Sequence, residues 1–227
     1  MAEYRQVRFE RPAGATELLL IRHGESRAAS ADHPFPMTDG RGDPELHPNG
    51  QRQAEALGVH LMTHPIEALY VTSLRRTHET AAPLARALNI TPVVEPALRE
   101  VSLGEWEGGL FRVKAHERDP VYMRMQAERR WDVIPGAESY TDLNARVLPA
   151  LESIVRTHMN QLVALVLHGG IIGHILERAT GAAPMSFAGA DNGSISRLVW
   201  TPERWILRSF NDTAHLPQIQ GADGGLS

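Results

Sequence analysis

Four places in the chain supply a nucleophile, an acid or fixed positive charge. Arg22-His23-Gly24-Glu25-Ser26 follows directly on the apolar run Leu18-Leu19-Leu20-Ile21, and His168-Gly169-Gly170 follows directly on Val163-Ala164-Leu165-Val166-Leu167. The pair Arg75-Arg76 opens a helical pattern just after the apolar stretch from Ala68 to Thr72, and Glu100 lies in a segment rich in Glu and Gly around Trp106. Arginine stays charged and grips phosphate oxygens through two parallel N–H groups. A neutral imidazole is a competent nucleophile toward phosphorus, and neighbouring guanidinium groups disfavour its protonation. A carboxylic acid at Glu100 would protonate a leaving alkoxide. The chemistry these side chains fit is phosphoryl transfer through a phosphohistidine on His23.

Other chemistries lack their parts. Ser26 has no Gly-x-Ser-x-Gly elbow around it, and there is no Gly-x-x-x-x-Gly-Lys phosphate loop. The eleven histidines never fall in His-Glu-x-x-His spacing, and His60 and His64, four apart, have no obvious third ligand. The chemistry therefore requires no metal and no other cofactor. The absence of cysteine removes thiolate sites, disulfides and cysteine nucleophiles. A formal charge of −4 argues against nucleic acid or an anionic membrane as a partner. No apolar run reaches the roughly 18 residues of a membrane helix, and Met1 to Thr16 has no signal-like core. The expected setting is cytoplasmic and the expected partner a small phosphorylated metabolite.

The elements that must hold these groups alternate between strand and helix. Met1 to Ala15 reads as an arm or short edge strand, and Ala28 to Asn49, with its prolines and glycines, as loop. A helix begins at Pro48, with Ala54, Leu57, Leu61 and Met62 on its apolar face. The stretch 68–72 is a strand, 74–88 a helix bent at Pro83, and Thr91 to Glu95 a third strand. The segment around Trp106 lacks core patterning and reads as a functional loop. Phe111 to Trp131 is a helical excursion over the sheet edge. Ser139-x-x-Asp142 caps a long helix with Leu143, Val147, Leu151, Ile154 and Val155 inward and a kink at Pro149. A strand at 162–167, a helix at 171–180 closed by Gly181, a strand pair at 194–200 and 205–210, and a frayed tail after Leu216 complete the chain. The expected fold is α/β: a three-layer α/β/α sandwich with a mostly parallel central sheet, one domain over 1–227 and a helical lid at about 108–137. In such sheets ligands sit at the carboxyl edge of the strands.

Five segments in order resemble the histidine phosphatase superfamily, the phosphoglycerate mutase-like family. Arg22-His23-Gly24-Glu25-Ser26 is similar to the family's opening motif, whose His becomes phosphorylated. Leu46-His47-Pro48-Asn49-Gly50-Gln51-Arg52-Gln53-Ala54 resembles its Leu-Thr-x-x-Gly-x-x-Gln-Ala helix start. Leu74-Arg75-Arg76-Thr77-His78-Glu79-Thr80-Ala81 resembles Leu-x-Arg-Ala-x-Gln-Thr-Ala, and Leu98-Arg99-Glu100 with Gly104-Glu105-Trp106-Glu107-Gly108 the acid-bearing segment. His168-Gly169-Gly170 is similar to the second histidine motif; Asn192-Gly193-Ser194 and Asn211-Asp212 also recur in relatives. The resemblance implies a phosphoglycerate mutase-like fold, His23, Glu100 and His168 as catalytic residues, and Arg22, Arg76, Ser26 and Gly169 as phosphate ligands. Arg112, Lys114 and Arg118 of the excursion are expected to meet the substrate.

The sequence departs from relatives at Ala29, where they usually carry Asn, at Gly173, where they often carry Arg, and at Glu79 in place of Gln. The loss at Ala29 argues against a mutase. The expected activity is metal-independent hydrolysis of small phosphomonoesters. The alternatives are a cofactor-dependent phosphoglycerate mutase-type phosphotransferase and an inactive relative that binds a phosphorylated ligand. The oligomeric state is left open, a homodimer included.

Overall fold

The computed structural model describes residues 3–216; the expected fraying after Leu216 lies outside them. Strand β1 (Thr16–Arg22) sits inside a six-stranded sheet. Its alternate side chains go to opposite faces, as strand geometry requires. Leu18 and Leu20 join one buried cluster and Leu19 and Ile21 the other. Both faces being covered, β1 reads as an unbroken apolar run.

The chain continues through β2 (Met37–Thr38), β3 (Arg41–Gly42), α1 (Pro48–Leu61), β4 (Ile66–Val71), α2 (Arg75–Leu88) and β5 (Val93–Val94). Then come α3 (Leu110–His116), α4 (Pro120–Glu128), α5 (Tyr140–Thr157), β6 (Leu162–Leu167), α6 (Gly169–Thr180), β7 (Ile195–Trp200) and β8 (Trp205–Asp212). The strand order is β5-β4-β6-β1-β7-β8. Strands β5, β4, β6 and β1 run parallel; β7 and β8 add an antiparallel edge. Helices α1 and α2 cover the face of Leu19 and Ile21, and α5 and α6 the face of Leu18 and Leu20. This is the three-layer sandwich that the alternation of strand and helix implied.

Local chemistry sets the element ends. Pro48 takes the first helical position of α1, and Nδ1 of His47 accepts from the N–H of Asn49 at 3.2 Å. Ser139 caps α5 by accepting from the N–H of Asp142, and Gly181 closes α6 in the left-handed region. Gly50 lies so close to the loop after β1 that a Cβ there would meet the Glu25 carbonyl at 2.0 Å. That contact fixes the start of α1 beneath the His23 loop.

Four expectations change. Residues 3–11 form no strand and are exposed, so the arm reading holds over the edge-strand reading. The 28–49 segment contains the β2–β3 hairpin, turned by Asp39 and Gly40 at φ 49° and 75°, the geometry that favours Asp-Gly in a two-residue turn. The third strand shrinks to Val93–Val94 because Pro92 and Pro96, which lack an N–H to donate, bracket it. Met62 lies half exposed just past α1 rather than on its buried face.

Trp106 is 6% exposed and belongs to a third apolar cluster with Tyr122, Met125, Val133 and Ile134. It is core, although the residues on either side of it are not. No helix among the described residues is long and apolar enough to cross a membrane.

Candidate active site

Strand β1 ends at Arg22 and β6 at Leu167, and the N–H of His23 donates to the carbonyl of Leu167 at 3.0 Å. The two histidines thus emerge side by side at the carboxyl edge, with ring centroids 5.2 Å apart in an edge-on arrangement. Arg76, in the first turn of α2, donates from Nε to Nε2 of His23 at 3.2 Å and from a terminal nitrogen to the Gly42 carbonyl at 3.0 Å. Arg22 reaches the Ala190 carbonyl. All four side chains are buried.

Hydrogen bonding fixes the tautomer of His23. Its Nδ1 lies 2.8 Å from the Gly24 carbonyl, which only accepts, so Nδ1 carries the proton. Nε2 therefore carries the lone pair, aimed toward Arg76. Burial, then Arg76 and Arg22, holds the His23 pKa well below the ordinary histidine value. His168 is depressed in the same way by burial, Arg76 and His23. Burial also lowers Arg22 and Arg76 to about 10, with Glu100 opposing the shift, so both remain cationic at neutral pH.

The loop that carries His23 is pinned from several sides. The N–H of Gly24 donates to Oγ1 of Thr80 at 3.0 Å, and that of Glu25 to Oε1 of Gln53 at 2.8 Å. Nδ2 of Asn192 donates to the His23 carbonyl at 2.9 Å, and the N–H of Gly193 to the Arg22 carbonyl at 3.0 Å. Asn211 holds the Asp191 turn before them by exchanging hydrogen bonds of 2.6 and 2.7 Å with Asp191. The Gln, Thr and Asn positions of the sequence motifs thus support the loop through its backbone.

Glu100 faces the same space from the segment after β5. One carboxylate oxygen accepts from its neighbour Val101 at 2.9 Å and the other from the N–H of Gly170 at 3.3 Å. A Cβ on Gly170 would sit 2.7 Å from that carboxylate and 2.9 Å from a Val101 methyl, so any side chain there would push the Glu100 carboxylate aside. Gly169 and Gly170 open α6, whose first-turn N–H groups and positive dipole end favour an anion.

A cavity of about 170 Å³ connects these groups, lined among others by Arg22, His23, Arg76, Glu100, Arg112 and Gly169. His168 is fully buried beside His23 and does not itself line the cavity, and three further expected contacts are not there. Ser26 is buried behind the wall, where its hydroxyl accepts from Arg112 at 2.8 Å. It holds the guanidinium that faces the cavity and does not line it. Lys114 pairs with Asp119 at 3.2 Å, and Arg118 is exposed in the turn after α3 at φ 53°. Neither lines the cavity, because the short α3 presents only Phe111 and Arg112 to it. Arg75, beside Arg76, is exposed and pairs with Glu79 and Glu45. His60 stacks on His215 at 4.9 Å, and no group of three or more such side chains among the described residues is arranged to hold a metal.

Sequence reasoning missed Phe35, Arg41, Tyr122 and Thr72. Phe35, Arg41 and Tyr122 line the cavity. Oγ1 of Thr72 lies 3.0 Å from Nε2 of His168.

The histidine phosphatase superfamily (branch 1) family model matches residues 18–213, and the chain belongs to that family. It is 30% identical over 217 residues to a metal-independent phosphoserine phosphatase of Arabidopsis thaliana, covering 92% of this chain and 88% of that one. It is also 30% identical over 207 residues to a probable phosphoglycerate mutase of Yersinia pestis, covering 88% and 94%. Among solved structures, a mycobacterial glucosyl-3-phosphoglycerate phosphatase matches with a TM-score of 0.73 at 25% identity, covering 88% of this chain and all of that one.

Proposed function

We propose that the protein hydrolyses small phosphomonoesters through a phosphohistidine on His23. The observation that carries this reading is the bond from Nδ1 of His23 to the Gly24 carbonyl, which leaves Nε2 as the lone-pair nitrogen facing the cavity. Arg22, Arg76 and Arg112 hold the phosphoryl oxygens, and Nδ1 of His168, buried without a hydrogen-bond partner, donates to one of them. Nε2 attacks phosphorus in line, and the P–O ester bond breaks on the opposite side. Glu100 gives its proton to the departing alkoxide, then takes one from the water that attacks the phosphohistidine. Phosphate leaves and His23 returns to its neutral form. Helices α3 and α4 act as the lid over this reaction.

The test is a phosphate-release screen across phosphomonoesters, run with and without a bisphosphoglycerate primer and with excess chelator. Phosphate release without primer, unchanged by chelator, is expected. Phosphoryl exchange between hydroxyls that needs primer and releases no phosphate would favour the mutase-type reaction instead.

A further inference from the structure

In-line displacement places the leaving oxygen opposite Nε2 of His23, so the alcohol portion of the ester extends away from the arginines. Beyond the arginines the lining carries the rings of Phe111, Tyr122 and Trp131 from the excursion and of Trp106 from the segment before it, with the polar side chains of Arg41, Glu107 and Gln126 also on the wall. Phe111 lies 6.3 Å from Trp106, 5.8 Å from Tyr122 and 6.0 Å from Trp131, centroid to centroid. All four rings line the cavity, yet Phe111 and Trp131 are only partly buried, leaving ring surface without a protein partner in a concave space. Such surface is the usual lining of a site for an apolar ligand.

The charged groups of this wall are engaged by the protein or, for Arg112, assigned above to the phosphoryl group as well. One carboxylate oxygen of Glu107 accepts from the N–H of Leu103 and the other from that of Gly42, both at 2.9 Å. Arg41 donates to the Glu100 carbonyl at 3.1 Å and lies 3.8 Å from Glu138. Arg112 donates to Ser26 and to the Arg27 carbonyl and sits 5.4 Å from the Phe35 ring, among the groups whose field acts on His23. An amino-acid alcohol would bring an ammonium and a carboxylate against the rings; a ring face attracts the ammonium, but the carboxylate would lose its hydration against a negative ring face without equal return.

We propose that the preferred substrates are phosphomonoesters of apolar alcohols, seated against Phe111, Tyr122 and Trp131; this rests on the phosphatase reading above. The relatives named for phosphoserine and for phosphoglycerate act on charged alcohols, so the proposal separates this chain from them.

The experiment uses primary alkyl phosphates, whose alkoxide leaving groups differ little in basicity, so chain length reports on contact with the wall. Each methylene buried is worth roughly fourfold in binding. We expect kcat/KM to rise about fifteenfold for every two methylenes from ethyl through butyl to hexyl phosphate, with O-phosphoserine no better than ethyl phosphate. A flat series with clear turnover, or O-phosphoserine above hexyl phosphate, overturns the proposal and leaves the phosphatase reading intact. If no ester turns over, the phosphatase reading fails, and calorimetry with hexylphosphonate and ethylphosphonate decides this one. Tighter hexylphosphonate binding supports the apolar chamber; equal affinities overturn it.

Discussion

The hydroxyl of Thr72, at the end of β4, lies 3.0 Å from Nε2 of His168, at the end of β6. The N–H of Leu74 donates to Oγ1 of Thr72 at 3.3 Å, while Oγ1 of Thr77 sends its own hydrogen to the Leu74 carbonyl at 2.8 Å. We infer that the Thr72 hydroxyl donates to Nε2, which puts the His168 proton on Nδ1; Oγ1 of Thr77, 3.2 Å away, is its other acceptor.

This arrangement makes Thr72 a positioning residue for His168. Thr72→Val keeps the shape and removes the donor, and should lower kcat/KM by about tenfold, the loss of one net hydrogen bond. Nitrogen-15 shifts of the His168 ring should report a single Nδ1–H tautomer in the native protein and a mixture in the variant. Thr72→Ser should restore both. A single unchanged tautomer in Thr72→Val would refute the role.

Glu100 as the proton donor predicts an effect that depends on the leaving group. Glu100→Gln should slow alkyl phosphates by about 10²–10⁴-fold and nitrophenyl phosphate far less, because nitrophenolate departs without a proton. Gly170→Ala, whose Cβ would press on the same carboxylate at 2.7 Å, should reproduce that pattern in weaker form. Equal losses on both kinds of ester would remove Glu100 from the proton-donor role.

Buried histidines give the fold a defined acid sensitivity. His174 is 2% exposed, neither ring nitrogen has a hydrogen-bond partner, and burial with Arg178 and Arg146 nearby lowers its pKa to about 4. Below its ordinary value of 6.5, the unfolded chain takes up a proton that the folded chain does not. Stability therefore falls as pH drops through 6.5 and stops falling, for this group, near 4. His23 and His168 act in the same direction. The melting temperature should decline between about pH 7 and pH 5, and His174→Leu should make that decline shallower. An equally steep decline in the variant would refute the assignment to His174.

Strands β1 and β6 and helix α5 were legible because apolar runs and helical spacing report burial directly. His23, His168, Arg22 and Arg76 were legible because each sits at or just beyond such an element; Glu100, six residues past the exposed two-residue β5, has no such signal and stands out only through the resemblance of its segment to the family's acid-bearing motif. Gln53, Thr80 and Asn192 matched motifs, but their task, holding the backbone of the His23 loop, exists only once α1, α2 and the turn before β7 converge on it. The β2–β3 hairpin did carry a signal in Asp39-Gly40, which the surrounding prolines and glycines masked. Trp106 looked like loop because its cluster is built from α4 and the turn at 131–134, not from its own neighbours. Ser26, Lys114 and Arg118 were placed by motif or by charge alone, and neither carries the direction of a side chain.

The most direct measurement is mass spectrometry of the protein quenched into alkali during turnover of a phosphomonoester. Phosphohistidine survives base, and the account predicts one added phosphoryl group, on the peptide carrying His23, absent in His23→Ala, which should also have lost turnover. A protein that releases phosphate at full rate while His23 is never phosphorylated, or a His23→Ala variant of near-native activity, would contradict it.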